Sequence, residues 1–146
     1  MLTVNTEVEI NAPIDKVYEI AKDNEKFPEF MSDVKSVKII NSQDSTVTTE
    51  WVGVVPTFGI KVSWTQEDIW DDKNHTCKFK QIEGDYDFME GEWRFLDVNG
   101  KTRFESTVNY EYIVPGLGPL VKKVIHKLVI KNLENVLTAI KGRAES

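Results

Sequence analysis

Five polar side chains occupy strand positions that the alternation of apolar and polar residues turns inward, and they are the first candidates for chemistry. They are Gln66, Asp68, Gln81, Ser106 and Tyr110. A buried polar group without a hydrogen-bond partner costs about 1–3 kcal/mol, so each must bond to protein, water or a ligand. In a functional interpretation, Tyr110 and Gln81 orient a ligand carbonyl and Asp68 exchanges protons. In a structural interpretation they are strand-end residues bonded to water, which we favour most clearly for Asp68 because a turn follows soon after it.

Nucleophilic, metal and cofactor chemistry have weaker support. The chain holds two histidines, His75 and His126, and one cysteine, Cys77, and no second His or Cys stands at metal-ligand spacing. Cys77 beside His75 has no third group to orient it as a nucleophile. The sequence also has no phosphate-binding glycine loop and no dinucleotide fingerprint. We therefore predict neither a metal nor a cofactor.

Aromatic and apolar side chains share the predicted inner faces with these polar groups. Rings give contact area in a ligand cavity, and Tyr or Trp adds a polar handle, but the same rings can also fill a core. The pattern leaves both interpretations open. The strand residues predicted to contact a ligand are Trp51, Trp64, Phe79, Gln81, Met89, Trp93, Phe95, Phe104 and Tyr110.

A second apolar group lies on a short helix, a Pro/Gly loop and the start of the last helix. Its members are Phe30, Met31, Pro56, Phe58 and Leu117. Because binding elements collect on loops around a rigid scaffold, we interpret this group as a rim through which a ligand enters. The alternative is that these residues close one end of the core. Val121 and Ile125, further along the last helix, complete the predicted ligand contacts.

One long helix, predicted from Gly116 to Gly142, must support these side chains. Pro119 suits a first helical position, because its missing N–H would be unpaired there anyway, and Gly142 suits a stop. At 1.5 Å per residue such a helix spans about 30 Å or more. Its apolar face recurs at three- and four-residue steps. That face consists of Leu117, Val121, Ile125, Leu128, Val129, Asn132, Leu133, Val136 and Ile140.

Seven strands and two short helices come before the long helix. The first strand is Leu2–Ile10, and the helices follow it, one opened by Pro13 and one over Glu25–Met31. The remaining strands are Val34–Ile40, Ser45–Val54, Ile60–Trp70, Thr76–Ile82, Tyr86–Val98 and Thr102–Val114. Short turns, at Asn41–Asp44 and at Asn99-Gly100 among others, favour an antiparallel meander. One sheet face is polar, so the apolar face should curve round the final helix.

Composition limits the class of protein. The 146 residues suggest one domain, 1–146, with 40% hydrophobic residues, and the net charge of −6 argues against nucleic acid or an anionic membrane as the main partner. No signal peptide is visible, and no apolar run reaches the roughly 20 residues that span a bilayer. With a single cysteine, the chain is expected in the cytoplasm. The sequence does not identify a protein partner.

A basic stripe lies opposite the apolar face of the last helix. It consists of Lys122, Lys123, His126, Lys127 and Lys131. We favour the interpretation that this is the solvated face of a long helix. The alternative is a contact for membrane headgroups or ribosomal RNA.

Several segments resemble the polyketide cyclase/dehydrase families of the START-like superfamily, also called SRPBCC. They are Ala12–Ile20, Phe27–Val37, Trp64–Asp68, Gln81–Asp85 and Glu90–Phe95. The resemblance runs from about Glu7 to Ile140, and near neighbours are the coenzyme-Q-binding proteins and the ribosome-association toxins. It implies an α+β helix-grip fold, with a seven-stranded curved antiparallel sheet wrapped round the C-terminal helix in the order β-α-α-β-β-β-β-β-β-α. It also implies a deep cavity for a hydrophobic or aromatic ligand, but no motif carries catalytic residues over.

These observations predict a protein that binds a hydrophobic, ring-bearing or lipid-like small molecule between sheet and helix. Three classes stay open: a cyclase or dehydratase, a carrier of lipid or isoprenoid quinone, and, with less support, a modulator of the ribosome. Few ionisable residues fall on the predicted inner face, which favours binding over catalysis. Two or more buried titratable side chains meeting in one cavity would contradict that preference.

Overall fold

The computed structural model describes residues 1–55, 59–112 and 119–146, with the side chains of residues 55 and 119–121 left out of the description. Pro56, Phe58 and Leu117 of the predicted rim, and the side chain of Val121, therefore lie outside the described residues. The elements are β1 (Leu2–Ile10), α1 (Ile14–Lys22), a 3-10 helix (Asn24–Glu29), β2 (Val34–Gln43), β3 (Thr46–Val55), β4 (Ile60–Asp71), β5 (Thr76–Gly84), β6 (Phe88–Val98), β7 (Lys101–Glu111) and α2 (Pro119–Glu145).

The seven strands form one antiparallel sheet in the order β1-β7-β6-β5-β4-β3-β2. Strands β2 to β7 form the predicted meander, and β1 pairs with β7 in a register that runs from Leu2↔Tyr110 to Ile10↔Thr102. The segment with α1 and the 3-10 helix carries the chain from one edge of the sheet to the other. Helix α2 packs against β1 and α1. The α+β helix-grip architecture predicted from the sequence is confirmed.

The hairpin between β2 and β3 turns later than predicted. Residues Asn41–Gln43 pair with Thr46–Thr48, so the turn is Asp44-Ser45 and not Asn41–Asp44. A register shift between Ile39 and Asn41 lets the strand continue past the expected turn. Asp44 has φ 55°, a backbone conformation that Asp tolerates better than most residues, which is why the reversal falls there.

Helix α2 passes through Gly142 and ends at Glu145, so the predicted stop was wrong. Two contacts outweigh the weak helix propensity of glycine. Ala144 is buried, and Lys141 Nζ bonds to Glu145 Oε2 at 2.7 Å, one helical turn on. The Asn11 backbone N–H donates to the same Glu145 oxygen at 2.7 Å, which ties the end of α2 to the end of β1.

Two smaller boundaries also differ from the prediction. The segment expected as a helix over Glu25–Met31 is a 3-10 helix over Asn24–Glu29, with Pro28 inside it. Strand β6 begins at Phe88, and Tyr86 lies in the connection before it. Both differences leave the inner face of the sheet as predicted, with Met89, Trp93 and Phe95 alternating against charged residues.

One end of the layered structure is densely packed, and we call it the closed end. The Phe95 and Phe104 rings stack there with centroids 4.4 Å apart, and Tyr18 of α1 meets Phe95 edge-on at 5.6 Å. Ile10 and Ile140 are fully buried beside them. Here α1 contacts α2, β6 and β7, so the sheet is covered by two helices. Among the described residues, no helix is long and apolar enough to span a membrane.

Candidate functional site

A cavity of about 510 Å³ lies between the inner face of the sheet and the part of α2 up to Val136. This size falls within the range of small-molecule sites. The helical wall is formed by Ile125, Leu128, Val129, Asn132, Leu133 and Val136. The sheet wall includes every tryptophan of the chain: Trp51, Trp64, Trp70 and Trp93. The cavity is therefore apolar and rich in rings on the side of the sheet.

Seven of the predicted ligand contacts line this cavity. They are Trp51, Trp64, Phe79, Met89, Trp93, Tyr110 and Ile125. Gly91 makes room for the ring of Phe79, because a Cβ at that position would lie 2.6 Å from Phe79 Cζ and 2.5 Å from the carbonyl oxygen of Thr107. The placement of these residues agrees with the prediction, and their contact with a ligand stays a prediction.

Four other predicted contacts lie in the packed core and do not line the cavity. Phe95, Phe104 and Met31 are buried in the main core, and Phe30 packs edge-on against Phe27 at 5.9 Å. The Arg143 guanidinium lies over the Phe30 ring at 5.0 Å. The sequence interpretation of Phe30 and Met31 as an entrance was therefore wrong, and the alternative, that they close the core, holds. The physical reason is that the 3-10 helix packs onto β2 and the core.

Gln81 was also predicted to contact a ligand, but it has a structural partner instead. Its Nε2 donates to the Tyr86 carbonyl at 2.8 Å, and its Oε1 accepts from the Tyr86 N–H at 3.2 Å. Both amide atoms therefore hold the connection between β5 and β6, and Gln81 does not line the cavity. Ser106 is 1% exposed, and its Oγ has no hydrogen-bond partner among the described residues.

Asp68 is the centre of a buried hydrogen-bond network, which corrects the expectation that it bonds to water. The residue is 1% exposed. Oδ1 accepts from Gln66 Nε2 at 2.6 Å, and Oδ2 accepts from Thr49 Oγ1 at 2.8 Å. Gln66 Oε1 accepts from Trp64 Nε1 at 2.7 Å, and Thr49 Oγ1 accepts from Trp51 Nε1 at 2.8 Å. We call these five residues the indole–carboxylate network.

Burial raises the pKa of Asp68 to about 6, and the hydrogen bonds from Thr49 and Gln66 oppose part of that rise. Cys77 lines the same cavity, and burial, with the nearby Asp68 charge, raises the pKa of its thiol. Two buried titratable side chains thus share one cavity, which contradicts the preference drawn from the sequence. His75 Nε2 pairs with Asp15 Oδ1 at 3.3 Å, whereas the Cys77 thiol donates to the Lys78 carbonyl at 3.9 Å.

Tyr110 reaches across to the helix and bonds to His126. The hydroxyl lies 2.6 Å from His126 Nδ1, and burial raises the pKa of Tyr110 to about 12. His126 therefore does not belong to the solvated stripe in which the sequence analysis placed it, whereas Lys122, Lys123, Lys127 and Lys131 are exposed as expected. The inward position of His126 could have been predicted from its spacing, because His126 precedes the inward-facing Val129 and Ile130 by three and four residues.

Among the cavity residues that sequence reasoning missed are Asn24, Asp33 and Trp70. Trp70 continues the alternation of Gln66 and Asp68 and could have been found from it. Asn24 and Asp33 lie before β2, in segments without a strand period, so no pattern marked them. Asp33 Oδ2 accepts from Asn135 Nδ2 at 2.7 Å, which joins this connection to α2. No group of three or more potential metal-ligating side chains occurs within the described ranges.

Comparison with known proteins adds family relationships to this geometry. Residues 10–139 match the family described as polyketide cyclase/dehydrase and lipid transport. The Thermus thermophilus protein TTHA0849 is 35% identical, with a TM-score of 0.92 over 98% of this chain and 97% of that one. The Streptomyces sp. R1128 aromatase/cyclase ZhuI has 22% identity and a TM-score of 0.90 over 99% and 93% of the two chains, a likeness of fold. A Streptomyces cyaneus protein provisionally named a polyketide cyclase is 26% identical over 71% of this chain and 69% of its own length.

Proposed function

The chain belongs to the polyketide cyclase/dehydrase and lipid transport family, and from that membership we propose that its ligand is a flat, ring-bearing molecule of the polyketide type. Binding of a hydrophobic small molecule in the cavity agrees with the family and with the apolar walls. The proposal adds that this hydrophobic ligand is flat and ring-bearing. It is supported by what the cavity wall is made of.

The observation that carries the proposal is the concentration of rings on the sheet wall. Four tryptophans line the cavity, together with Phe79 and Tyr110. Aromatic rings stack on flat π-systems and gain about 0.5–1.5 kcal/mol beyond simple area burial. A saturated acyl chain gains area burial alone from the same wall. A planar ligand therefore gains more from this cavity than a linear one of similar size.

A titration with two probes tests the proposal. All four tryptophans of the chain line the cavity, so their fluorescence reports on its occupation. We expect 1,8-dihydroxyanthraquinone to bind at least about tenfold more tightly than dodecanoic acid, because stacking adds to burial. The affinities are measured by fluorescence titration and checked by calorimetry, which does not depend on the optical properties of the probe.

Two variants give this titration its control. Trp64→Leu should weaken the planar probe about tenfold, as expected for the loss of one stacking partner. Leu96→Ala changes a half-exposed residue that does not line the cavity, and it should leave both affinities unchanged. Tighter binding of dodecanoic acid than of the anthraquinone would contradict the proposal and favour a lipid carrier.

The Tyr110–His126 pair favours a second candidate function, ring closure catalysed in the same cavity. In an aldol closure, an α-carbon loses a proton to water and forms a C–C bond to a carbonyl carbon, whose oxygen gains a proton. Tyr110 lines the cavity with a hydroxyl that can supply that proton. His126, bonded to the same hydroxyl at 2.6 Å, can return a proton to it and then take one up from the water that received the α-carbon proton, so that the step balances.

The test uses a synthetic poly-β-ketone thioester and follows the formation of cyclised products. Tyr110→Phe should lower the rate by at least about 100-fold, which is typical for the loss of a general acid, while the affinity for the anthraquinone stays within about twofold. Equal rates and product ratios with and without the wild-type protein would overturn the catalytic candidate and leave the binding proposal intact.

A further inference from the structure

We propose that Asp68 acts through Trp51 and Trp64: the indole–carboxylate network fixes the two indoles as one stacking platform and so makes the cavity selective for planar rings. This inference rests on the proposed ring-bearing ligand and assigns its selectivity to a particular set of bonds. In this role Asp68 is a positioning residue, since its carboxylate holds other side chains and does not itself touch the ligand.

The two indoles stack on each other in nearly parallel planes. Trp51 and Trp64 are directly opposite each other in the register of β3 and β4. Their ring centroids are 5.8 Å apart and their planes differ by 7°. Phe27 meets the Trp51 ring at 5.8 Å, and Tyr86 meets the Trp64 ring edge-on at 5.5 Å. The pair is therefore held between two further rings, at the wall of the cavity.

Each indole is joined to a different oxygen of the same carboxylate. One arm runs from Trp51 Nε1 through Thr49 to Oδ2, and the other from Trp64 Nε1 through Gln66 to Oδ1. Rotating either indole about χ2 would leave its N–H unpaired in an apolar wall, which is costly. Because both arms end on one rigid carboxylate, the orientation of one indole is coupled to that of the other.

The backbone around Trp64 is also adapted to it. A Cβ at Gly84 would lie 2.4 Å from Trp64 Cβ, and Gly84 has φ 153°, so a side chain is excluded there. A Cβ at Gly53 would lie 3.4 Å from Trp64 Cζ3, so the indole lies closely over this glycine. Gly84 therefore makes space for the Cα and Cβ of Trp64, the indole packs over Gly53, and the hydrogen bond to Gln66 sets the rotation of the indole.

The bonds of Asp68 argue against a direct role on the ligand. Asp68 lies at the cavity wall, but both carboxylate oxygens already accept a hydrogen bond from the network, and the residue is 1% exposed. The rings of Trp51 and Trp64, in contrast, line the cavity as a stacked pair. The ligand therefore meets the indoles, and the carboxylate determines how they are presented.

Nuclear magnetic resonance of the indole N–H groups tests the positional role. The four tryptophans give four indole signals, each assigned by a Trp→Phe variant. Thr49→Val opens only the arm of Trp51, and Gln66→Leu opens only that of Trp64. Each should shift the signal of its own indole and speed its exchange with solvent. Thr49→Ser keeps the hydroxyl and is the matched control, in which the Trp51 signal should keep its protection.

Asp68 is tested with a conservative and a disruptive variant in the same assay. Asp68→Asn can still accept from Gln66 and donate to Thr49, so both indole signals should stay protected. Asp68→Leu can do neither, so both signals should lose protection. In titrations, the affinity ratio of 1,8-dihydroxyanthraquinone to dodecanoic acid should fall at least about tenfold in Asp68→Leu and in Gln66→Leu. It should stay within about twofold of wild type in Asp68→Asn.

Two results would overturn the inference. If Asp68→Asn loses the affinity ratio as fully as Asp68→Leu while its indole signals stay protected, the carboxylate contacts the ligand directly. If the indole signals of Gln66→Leu and Asp68→Leu change but the ratio does not, the platform does not determine selectivity. A wild-type protein that binds neither probe would instead reject the proposed ligand class, so the two failures are distinguishable.

Discussion

The two ends of this molecule are built from the same strands and the same helix, yet one is packed and the other is hollow. At the closed end, Phe95 and Phe104 stack at 4.4 Å, and Ile140 of α2 is fully buried. At the open end, Trp93 and Tyr110, on the same two strands, line the cavity of about 510 Å³. The strands present rings inward at both ends. The difference lies in what covers them, because α1 contacts the sheet and α2 at the closed end.

The largest expected effect that separates the two ends is on stability. Ile140→Ala should lower the free energy of unfolding by about 2–5 kcal/mol, because it creates a void among fully packed neighbours. Its affinity for the planar probe should stay within about twofold of wild type, since Ile140 does not line the cavity. Chemical denaturation and the fluorescence titration measure the two quantities.

The matched control makes the same substitution on the same helix at the open end. Ile125 faces the cavity and is only partly buried, so Ile125→Ala should cost about 1 kcal/mol or less. The affinity for the planar probe, however, should fall several-fold. Equal stability losses for the two variants would show that the open end is as tightly packed as the closed end.

A further effect, the dependence of stability on pH, concerns the buried carboxylate at the open end. Burial raises the pKa of Asp68 from 3.8 to about 6, and each pKa unit corresponds to about 1.4 kcal/mol, so the ionised carboxylate costs the fold about 3 kcal/mol. Between pH about 4 and 6 the native state keeps a proton that the unfolded chain has lost. Stability should therefore fall as the pH rises through this window, and Asp68→Asn should lack this component.

The comparison of wild type with Asp68→Asn is needed because other carboxylates act in the opposite direction. Hydrogen bonds hold the pKa of Asp71 and Asp72 below the usual range, so their contribution is lost as the pH falls. Both proteins share those groups, and the difference between their denaturation curves at pH about 4.5 and about 7.5 isolates Asp68. A difference that is the same at both pH values would show that Asp68 is ionised in the native state throughout.

The strands, their inner faces and the final helix could be predicted because period-two and period-3.6 patterns depend on the local sequence alone. Trp93 and Phe95 show the limit of prediction from local patterns. They stand two residues apart on one face of β6, yet one lines the cavity and the other packs in the core. The distinction depends on which helix lies opposite, and no local pattern contains that information. The hydrogen bonds of Asp68 could not be predicted for the same reason. Its partner Thr49 is brought close to it only by the register of β3 and β4.

The pairing of the first strand has a consequence for how the chain is made. Strand β1 lies at the edge of the sheet and pairs with β7, about a hundred residues later in the sequence. At synthesis rates of about 5–20 residues per second, β1 leaves the ribosome about 5–20 seconds before its partner is complete. During that interval its apolar face, with Val4, Val8 and Ile10, has no sheet to join. The fold therefore cannot close progressively from the N-terminus, and the nascent chain depends on the hairpins of β2 to β7 forming first.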